Sequence, residues 1–460
     1  MRRIVSMLLV VLTGAFVAVV WLQHESTPAP AATTKPLAAT PTSTPTAPAP
    51  AKPTPPPLHR TLRTVALGWE WLAPGVVASD GAFKTAGVDA SFANAASMDD
   101  VAAALARGGA EVGGADIAIV PLSSYVAAYE RLRALAPEIV LVVGWSHGRE
   151  ALFGADASAL VKLPANGAVK LAAAAGQPET LHALYVLDLA GVAASRVELV
   201  DKAPLVAVFR GAKQKPPGKL LLTSADTPRL VPIVAVVPHG FVHAHEAELE
   251  AWAKVWLAGV ARLAGDVPAG ARQVATIPGA PPVLAIIEAL GQVEFASLRE
   301  NATAIGLSGR GALTLDAIFK TTWRIWRDAG AIATPPPELV PVSTDVVAAL
   351  VRTEPGAIVE PTRAPAHVDA GKRPDVLLVV RVAPGKDGKL DHDAIVNAIG
   401  VVAGVFDRLP IRVDVRDDAK TAELLAGMAR DRFGLRAAQV AAGKKPPAGA
   451  SAAIEVLSAM

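Results

Sequence analysis

Residues 116–147, DIAIVPLSSYVAAYERLRALAPEIVLVVGWSH, hold one complete strand–helix–strand reading. Asp116–Val120 is a short continuous apolar run, which suits a strand covered on both faces. Ser123–Leu135 sets apolar residues three and four apart with Glu130, Arg131 and Arg133 between them, the pattern of a helix with one dry side. Ile139–Gly144 repeats the apolar run, and Trp145-Ser146-His147 closes it. Two buried strands joined by a helix imply a βαβ crossover in a mostly parallel sheet.

The pattern extends in both directions. Upstream, Thr64–Gly68 and Val88–Phe92 read as strands, and Ala73–Thr85 and Asp99–Arg107 as helices. Downstream, helices are expected over Gly167–Ala175 and Pro178–Leu189, then strands over Val197–Val200, Lys219–Thr223 and Ile233–Val237. From His245 the pattern turns helical, through Leu263, Pro282–Leu290 and Leu315–Asp328. Two α/β units followed by returning helices predict an α/β, bilobed body over residues 60–352. The second lobe is expected at about 152–237, with a cleft between the lobes.

Composition narrows the function. Of 460 residues, 52% are hydrophobic and 19% charged, enough for a sizeable core. Lys+Arg 44 against Asp+Glu 42 leaves +2, too even a balance for a nucleic-acid partner. With no cysteine, disulfide scaffolds, thiolate metal sites and cysteine nucleophiles are excluded. No nucleophilic triad or carboxylate pair stands out, so no enzyme is expected.

The N-terminus reads as an export segment. Arg2 and Arg3 precede an uncharged run from Ile4 to Leu22, about 28 Å of helix. Val19–Gln23 lacks the small residues of a cleavage site, and Trp21 sits where an interfacial aromatic would lie. Residues 1–25 are therefore expected to anchor the chain in the inner membrane, with the rest periplasmic; a cleaved signal is the alternative. Residues 26–58 hold eleven prolines before Leu58 and little to bury, which predicts an extended stalk.

Strand-end loops collect the candidate ligand-binding residues, because ligands of open α/β sheets sit beyond the carboxyl ends of strands. They are Trp69 and Trp71, Ser123 and Ser124, Trp145, Ser146 and His147, and Asn166. Hydroxyls, an amide, indoles and helix N-termini suit a small anion or a compact molecule with an anionic head. Each also has a plainer reading. One of Trp69 and Trp71 packs inward, the serines cap a helix, and Asn166-Gly167 forms a turn. His239, His243, His245 and Glu246 span an expected strand-to-helix turn and invite a metal. No second cluster supports one, so they are read as a solvated helix start, and no metal or cofactor is expected. Trp323, Arg324, Trp326 and Arg327 read as a packed helix face with snorkelling arginines.

Several segments resemble the ABC-transporter substrate-binding proteins of the sulfonate, nitrate and taurine type, which are periplasmic binding proteins of the second structural type. These are TVALGWEWLAPGVVASDGAFKTAGVDASF, GGADIAIVPLSSYVAA, IVLVVGWSHGREALF, IVAVVPHGFVHAHEAELEAWAKVWLAGV and VEFASLRENATAIGLSG. The resemblance covers about 280 residues and implies a small-molecule ligand with an ABC permease and ATPase as partners. It departs after Ala207–Gly211, where an acidic residue of the family is replaced by Lys213, Lys215, Lys219 and a Pro-Pro pair. Asp226, beside Thr227, is the candidate to take over that ligand role.

Residues 353–374 read as a Pro-rich linker, and 375–460 as a β-α-β-α-β tail. In the tail, LDHDAIVNAIGVVAGVFDRLPIRVDVR and AELLAGMARDRFGLRAAQVAAGKKPPAG resemble a shortened OmpA-like domain, the family that grips the diaminopimelate group of peptidoglycan. Arg416–Lys420 bridges the stretch where the family's binding residues sit. Asp418 stands for the acidic partner and Lys420 for the arginine, a poor replacement for a guanidinium fork. A structural tail is therefore expected over one that grips peptidoglycan. Two readings of the whole chain follow: a solute-binding protein, or a ligand-free envelope scaffold or sensor.

Overall fold

Four strands open the fold: β1 (Leu62–Ala66), β2 (Ala90–Asn94), β3 (Ile117–Pro121) and β4 (Glu138–Ser146). The chain then builds a second sheet from β5 (Glu150–Gly154), β6 (Val169–Ala172), β7 (Val197–Val200), β8 (Leu205–Phe209) and β9 (Lys219–Thr223), in the order β7-β6-β8-β5-β9. It returns through β10 (Pro232–Val237) and later adds β11 (Val293–Phe295). The first sheet is thus ordered β11-β4-β10-β3-β1-β2. β10 lies antiparallel between β3 and β4, while β1 pairs in parallel with β2 and β3. This computed structural model describes residues 57–164, 166–210, 218–358, 375–385, 388–416, 419–443 and 450–458. The expected anchor and stalk (to residue 56), Lys213, Lys215, Asp418 and linker residues 359–374 lie outside the described residues. Among the described residues, no helix is long and apolar enough to cross a membrane.

The continuous apolar runs of β3 and β10 have a direct physical cause: both sheet faces are dry. Ile117, Ile119, Ile233 and Ala235 pack with Trp252 and Trp256 of the helix Glu246–Gly265. Their neighbours Ala118, Val120, Val234 and Val236 pack on the other side with Tyr125 and Trp326. Alternation within a strand therefore separates two cores rather than core from solvent. Gly259 lets two helices touch on the first of these faces. A Cβ there would lie 2.1 Å from the Pro74 carbonyl oxygen of the helix Ala73–Ala78.

Three expectations are corrected. The body's sheets are not mostly parallel: β10, β11 and β5 run antiparallel to their neighbours, because the chain crosses between the sheets and returns in the opposite direction. Ala73–Thr85 is not one helix but two, Ala73–Ala78 and Ala82–Thr85, divided where Gly81 takes φ 90°. Gly167–Ala175 is not helical. Its central residues form β6, paired in parallel with β7 and β8, and sheet pairing overrides the helical preference of an alanine-rich stretch.

Two crossings join the sheets, residues 147–149 and 224–231, and they hydrogen-bond to one another. Gly148 N donates to Ser224 Oγ at 2.7 Å, Ser224 N to the Glu150 carbonyl at 2.9 Å, and Ser146 N to the Val231 carbonyl at 3.0 Å.

The tail comprises β12 (Val376–Val382), a helix His392–Val405, β13 (Ile411–Val415), a helix Ala419–Phe433, β14 (Val440–Ala442) and β15 (Ala452–Leu457). Its sheet order is β12-β15-β13-β14, around a core that includes Ile399, Phe406, Val413 and Ile454. It does not stand apart from the body. Arg408 pairs with Glu294, Arg310 Nη1 donates to the Asp431 carbonyl at 3.0 Å, and a Cβ on Gly404 would lie 2.9 Å from that of Leu313.

Candidate functional site

The region between the two sheets is closed by the chain itself. The helix Leu315–Asp328 packs against both Leu122–Leu132, beside the first sheet, and Pro178–Leu189, beside the second. Trp326 Nε1 donates to the Ser123 carbonyl at 3.0 Å, and Arg324 grips both carboxylate oxygens of Asp188, at 3.0 and 2.6 Å. Arg149, in the first crossing, pairs with Glu70 just after β1, and its guanidinium lies 4.9 Å from the Phe209 ring centre.

The residues expected to line a cleft take up varied places. Trp71 is buried and meets Phe295 edge-on at 5.8 Å, whereas Trp69 is half-buried and leans toward Gly279. Ser123 and Ser124 are buried in the first turn of their helix. Neither caps it, because the chain becomes helical directly after Pro121, which stands at the cap. Ser146 is buried in the strand end, and the Oγ atoms of Ser123 and Ser146 have no hydrogen-bond partner among the described residues. His147 is half-buried, with Nδ1 4.0 Å from Glu294 Oε2. Asn166 is exposed, ahead of β6. Asp226 closes a turn in the second crossing, accepting from Thr223 N at 2.8 Å and Thr223 Oγ1 at 3.0 Å. Only Trp145 among these residues lines the chain's large cavity.

That cavity, of about 830 Å³, lies between the body and the tail. Val142, Trp145, Leu313 and Ile318 line it from the body, and Gly404, Phe433, Leu435 and Gln439 from the tail. Four arginines reach its wall: Arg229, Arg299, Arg310 and Arg436, against two carboxylates, Glu300 and Asp407. The Arg229 guanidinium lies 4.0 Å from the centre of the Trp145 ring, a cation–π stack. Its Nη2 donates to Glu300 and lies 3.5 Å from Glu294, while its Nη1 is buried with no hydrogen-bond partner among the described residues. Burial pushes the Glu300 carboxyl up, but the Arg229 charge and hydrogen bonds from Ser297 outweigh it and hold the group below its ordinary value. Glu300 therefore stays ionised and fixes Arg229 in place. Arg436 is held by the Asp407 carbonyl at 2.7 Å. The result is a chamber of mixed apolar and polar lining in which arginines outnumber carboxylates, suited to an organic anion.

The sequence singles out Trp145, which lines this cavity, but not its neighbours there. Arg229 follows the Asp226-Thr227 turn by two residues. Glu300 carries a signal of its own, the S-x-x-E capping box with Ser297. No spacing in the sequence links these residues to Arg436.

His182 is a second buried polar group, on the helix Pro178–Leu189. Its Nε2 lies 3.0 Å from Thr227 Oγ1, and burial pushes its pKa from 6.5 to about 4. The neutral ring is thus favoured in the folded state. Its contribution is full above pH 6.5 and is lost as pH falls toward 4, because only the unfolded chain takes the proton in that window. The loss amounts to roughly 3 kcal/mol. Denaturant midpoints at pH 7.5 and 4.5 should differ less in His182→Gln than in the parent; equal differences would remove His182 as the cause.

No family model matches the chain, and no curated protein matches it. Solved structures similar to it include the aliphatic sulphonate binding protein SsuA of Escherichia coli, with 12% identity over 68% of this chain and 97% of that chain and a TM-score of 0.43. The ligand-binding component of an ABC-type import system from Staphylococcus aureus, with zinc bound, is 11% identical over 63% and 98%, with a TM-score of 0.42. The nitrate-binding protein NrtA of Synechocystis PCC 6803 is 12% identical over 62% and 91%, with a TM-score of 0.37.

Proposed function

We propose that the chain is an extracytoplasmic solute-binding protein that captures a small organic anion between its body and its tail. The observation that carries the proposal is the 830 Å³ cavity, where Arg229 stacks on Trp145 and Arg299, Arg310 and Arg436 stand at the rim. A bilobed binding-protein body is supported by the two sheets with their paired crossings, and by the sequence resemblance. In this reading the apolar segment Ile4–Leu22 anchors the chain to the inner membrane, and the partners are an ABC permease and ATPase. The OmpA-like tail acts as a wall of the ligand chamber rather than as a peptidoglycan clamp.

The closed inter-sheet region favours a second reading, a ligand-free envelope scaffold or sensor. Thermal unfolding of the detergent-solubilised full chain with alkanesulfonates, aryl carboxylates, taurine, nitrate and phosphate separates the two. An anion at one hundred times its Kd should stabilise the fold by about 2.7 kcal/mol. Losing one charge-assisted contact in Arg229→Ala should weaken that anion by roughly tenfold to a hundredfold. Arg310→Ala, at an exposed position, tests the rim with little disturbance of the core. A flat screen on folded protein would support the scaffold reading. A hit that neither variant weakens would place the site elsewhere.

A further inference from the structure

At the opposite end of β4 from Trp145, the sheet register builds a cluster with different chemistry. Val237, the last residue of β10, pairs with Glu138, the first of β4. Pro238 then caps the helix His239–Ala244 directly, with no intervening loop, so that His239 lands beside Glu138. His243 follows one turn later on the same helix face. The rings of His239 and His243 meet edge-on with centres 4.3 Å apart. His239 Nδ1 hydrogen-bonds Glu138 Oε1, and His243 Nε2 lies 4.0 Å from the same oxygen. One ligand atom from each of the three residues lies within 4.8 Å of the others.

We infer that Glu138, His239 and His243 form a surface site for a divalent first-row transition ion, zinc being the probe of choice. Metal–donor bonds of about 2.0–2.2 Å set neighbouring ligand atoms roughly 3–4 Å apart, so small side-chain rotations suffice to close the triad on an ion. Two imidazoles and one carboxylate make a borderline donor set that prefers zinc, copper or nickel to calcium or magnesium. Glu138 is fixed by the sheet and largely covered, at 17% side-chain exposure. The imidazoles, at 54% and 60%, leave room for water or a further ligand. His245 belongs elsewhere: its ring lies 4.5 Å from that of Phe241, and its Nδ1 lies 3.8 Å from Glu248.

The site is separate from the anion chamber. Trp145 follows Glu138 by seven residues along β4, about 23 Å of strand. Its test is equilibrium dialysis of untagged, chelator-treated full chain against zinc chloride, followed by elemental analysis. The parent should retain one zinc per chain, and its thermal midpoint should rise with zinc. His239→Ala/His243→Ala should lose both effects, and so should Glu138→Gln, while His245→Ala keeps them. The exposed histidine changes should leave the zinc-free midpoint unmoved, which separates lost binding from lost folding. Zinc uptake by the double variant equal to that of the parent, or no uptake by the parent, would overturn the inference.

Discussion

Trp326→Ala is expected to lower the stability of the fold by about 3–5 kcal/mol. The indole is 0% exposed, and it sits where three helices converge between the two sheets. On the same helix, Phe319 and Trp323 pack with their rings tilted and centres 5.7 Å apart, and Tyr129 of the helix Leu122–Leu132 meets Trp323 edge-on at 5.4 Å. Alanine would remove one of the two buried indoles of that junction and take one donor from the Ser123 carbonyl. Trp326→Phe keeps most of the volume and loses the hydrogen bond, so about 1–3 kcal/mol is expected of it. Urea unfolding of both variants gives the comparison. Equal losses would mean that the hydrogen bond, not the packing, holds the junction. A loss near zero in Trp326→Ala would show that the inter-sheet region is not closed by this helix.

Asp116→Ala should cost a similar amount, about 3–5 kcal/mol, for an electrostatic reason. Asp116 precedes β3 and is 2% exposed, yet its carboxylate has four donors. Oδ2 accepts from Arg60 Nη1 at 2.7 Å and Arg63 N at 3.0 Å; Oδ1 accepts from Arg60 Nη2 at 2.6 Å and Gly109 N at 3.2 Å. Any Cβ at position 109 would collide with this carboxylate, at 2.0 Å from Oδ2. Removing Asp116 leaves the Arg63 and Gly109 N–H groups without this acceptor and takes two contacts from Arg60, which keeps the Thr61 carbonyl. Arg60→Ala removes the more exposed partner and leaves both backbone bonds in place, so roughly 1–3 kcal/mol is expected. Denaturant unfolding should rank Asp116→Ala well above Arg60→Ala; the reverse order would show that the buried carboxylate left without its cation costs more than the lost backbone contacts.

Much of the local structure was legible because it is written in short-range pattern. The apolar runs of β3, β4 and β10 announced strands covered on both faces. The 3.6-residue period marks Leu315–Asp328, and an apolar run opened by Pro178 marks Pro178–Leu189, both at their observed limits. Where the reading failed, tertiary pairing outweighed propensity, as in β6, or a single glycine decided the path, as at Gly81. β11, of three residues, is too short to carry a period of its own.

The sites divide along the same line. Trp145 stands out in the sequence as a strand end followed by a polar loop, and it lines the cavity. Its partners do not stand out: Arg229 comes from the second crossing, Glu300 from a helix after β11, and Arg436 from the tail. The histidine pair His239/His243 was visible in the sequence, but its carboxylate lies about a hundred residues upstream and reaches it only through the β4–β10 register. The sequence by itself thus determined most of the strands and helices, since hydrophobic period and turn chemistry act over a few residues. Only the tertiary structure decided that the inter-sheet region closes on itself, that the tail walls a cavity, and that Glu138 meets two histidines. Those outcomes depend on strand order and on how preformed surfaces pack, which no local spacing records.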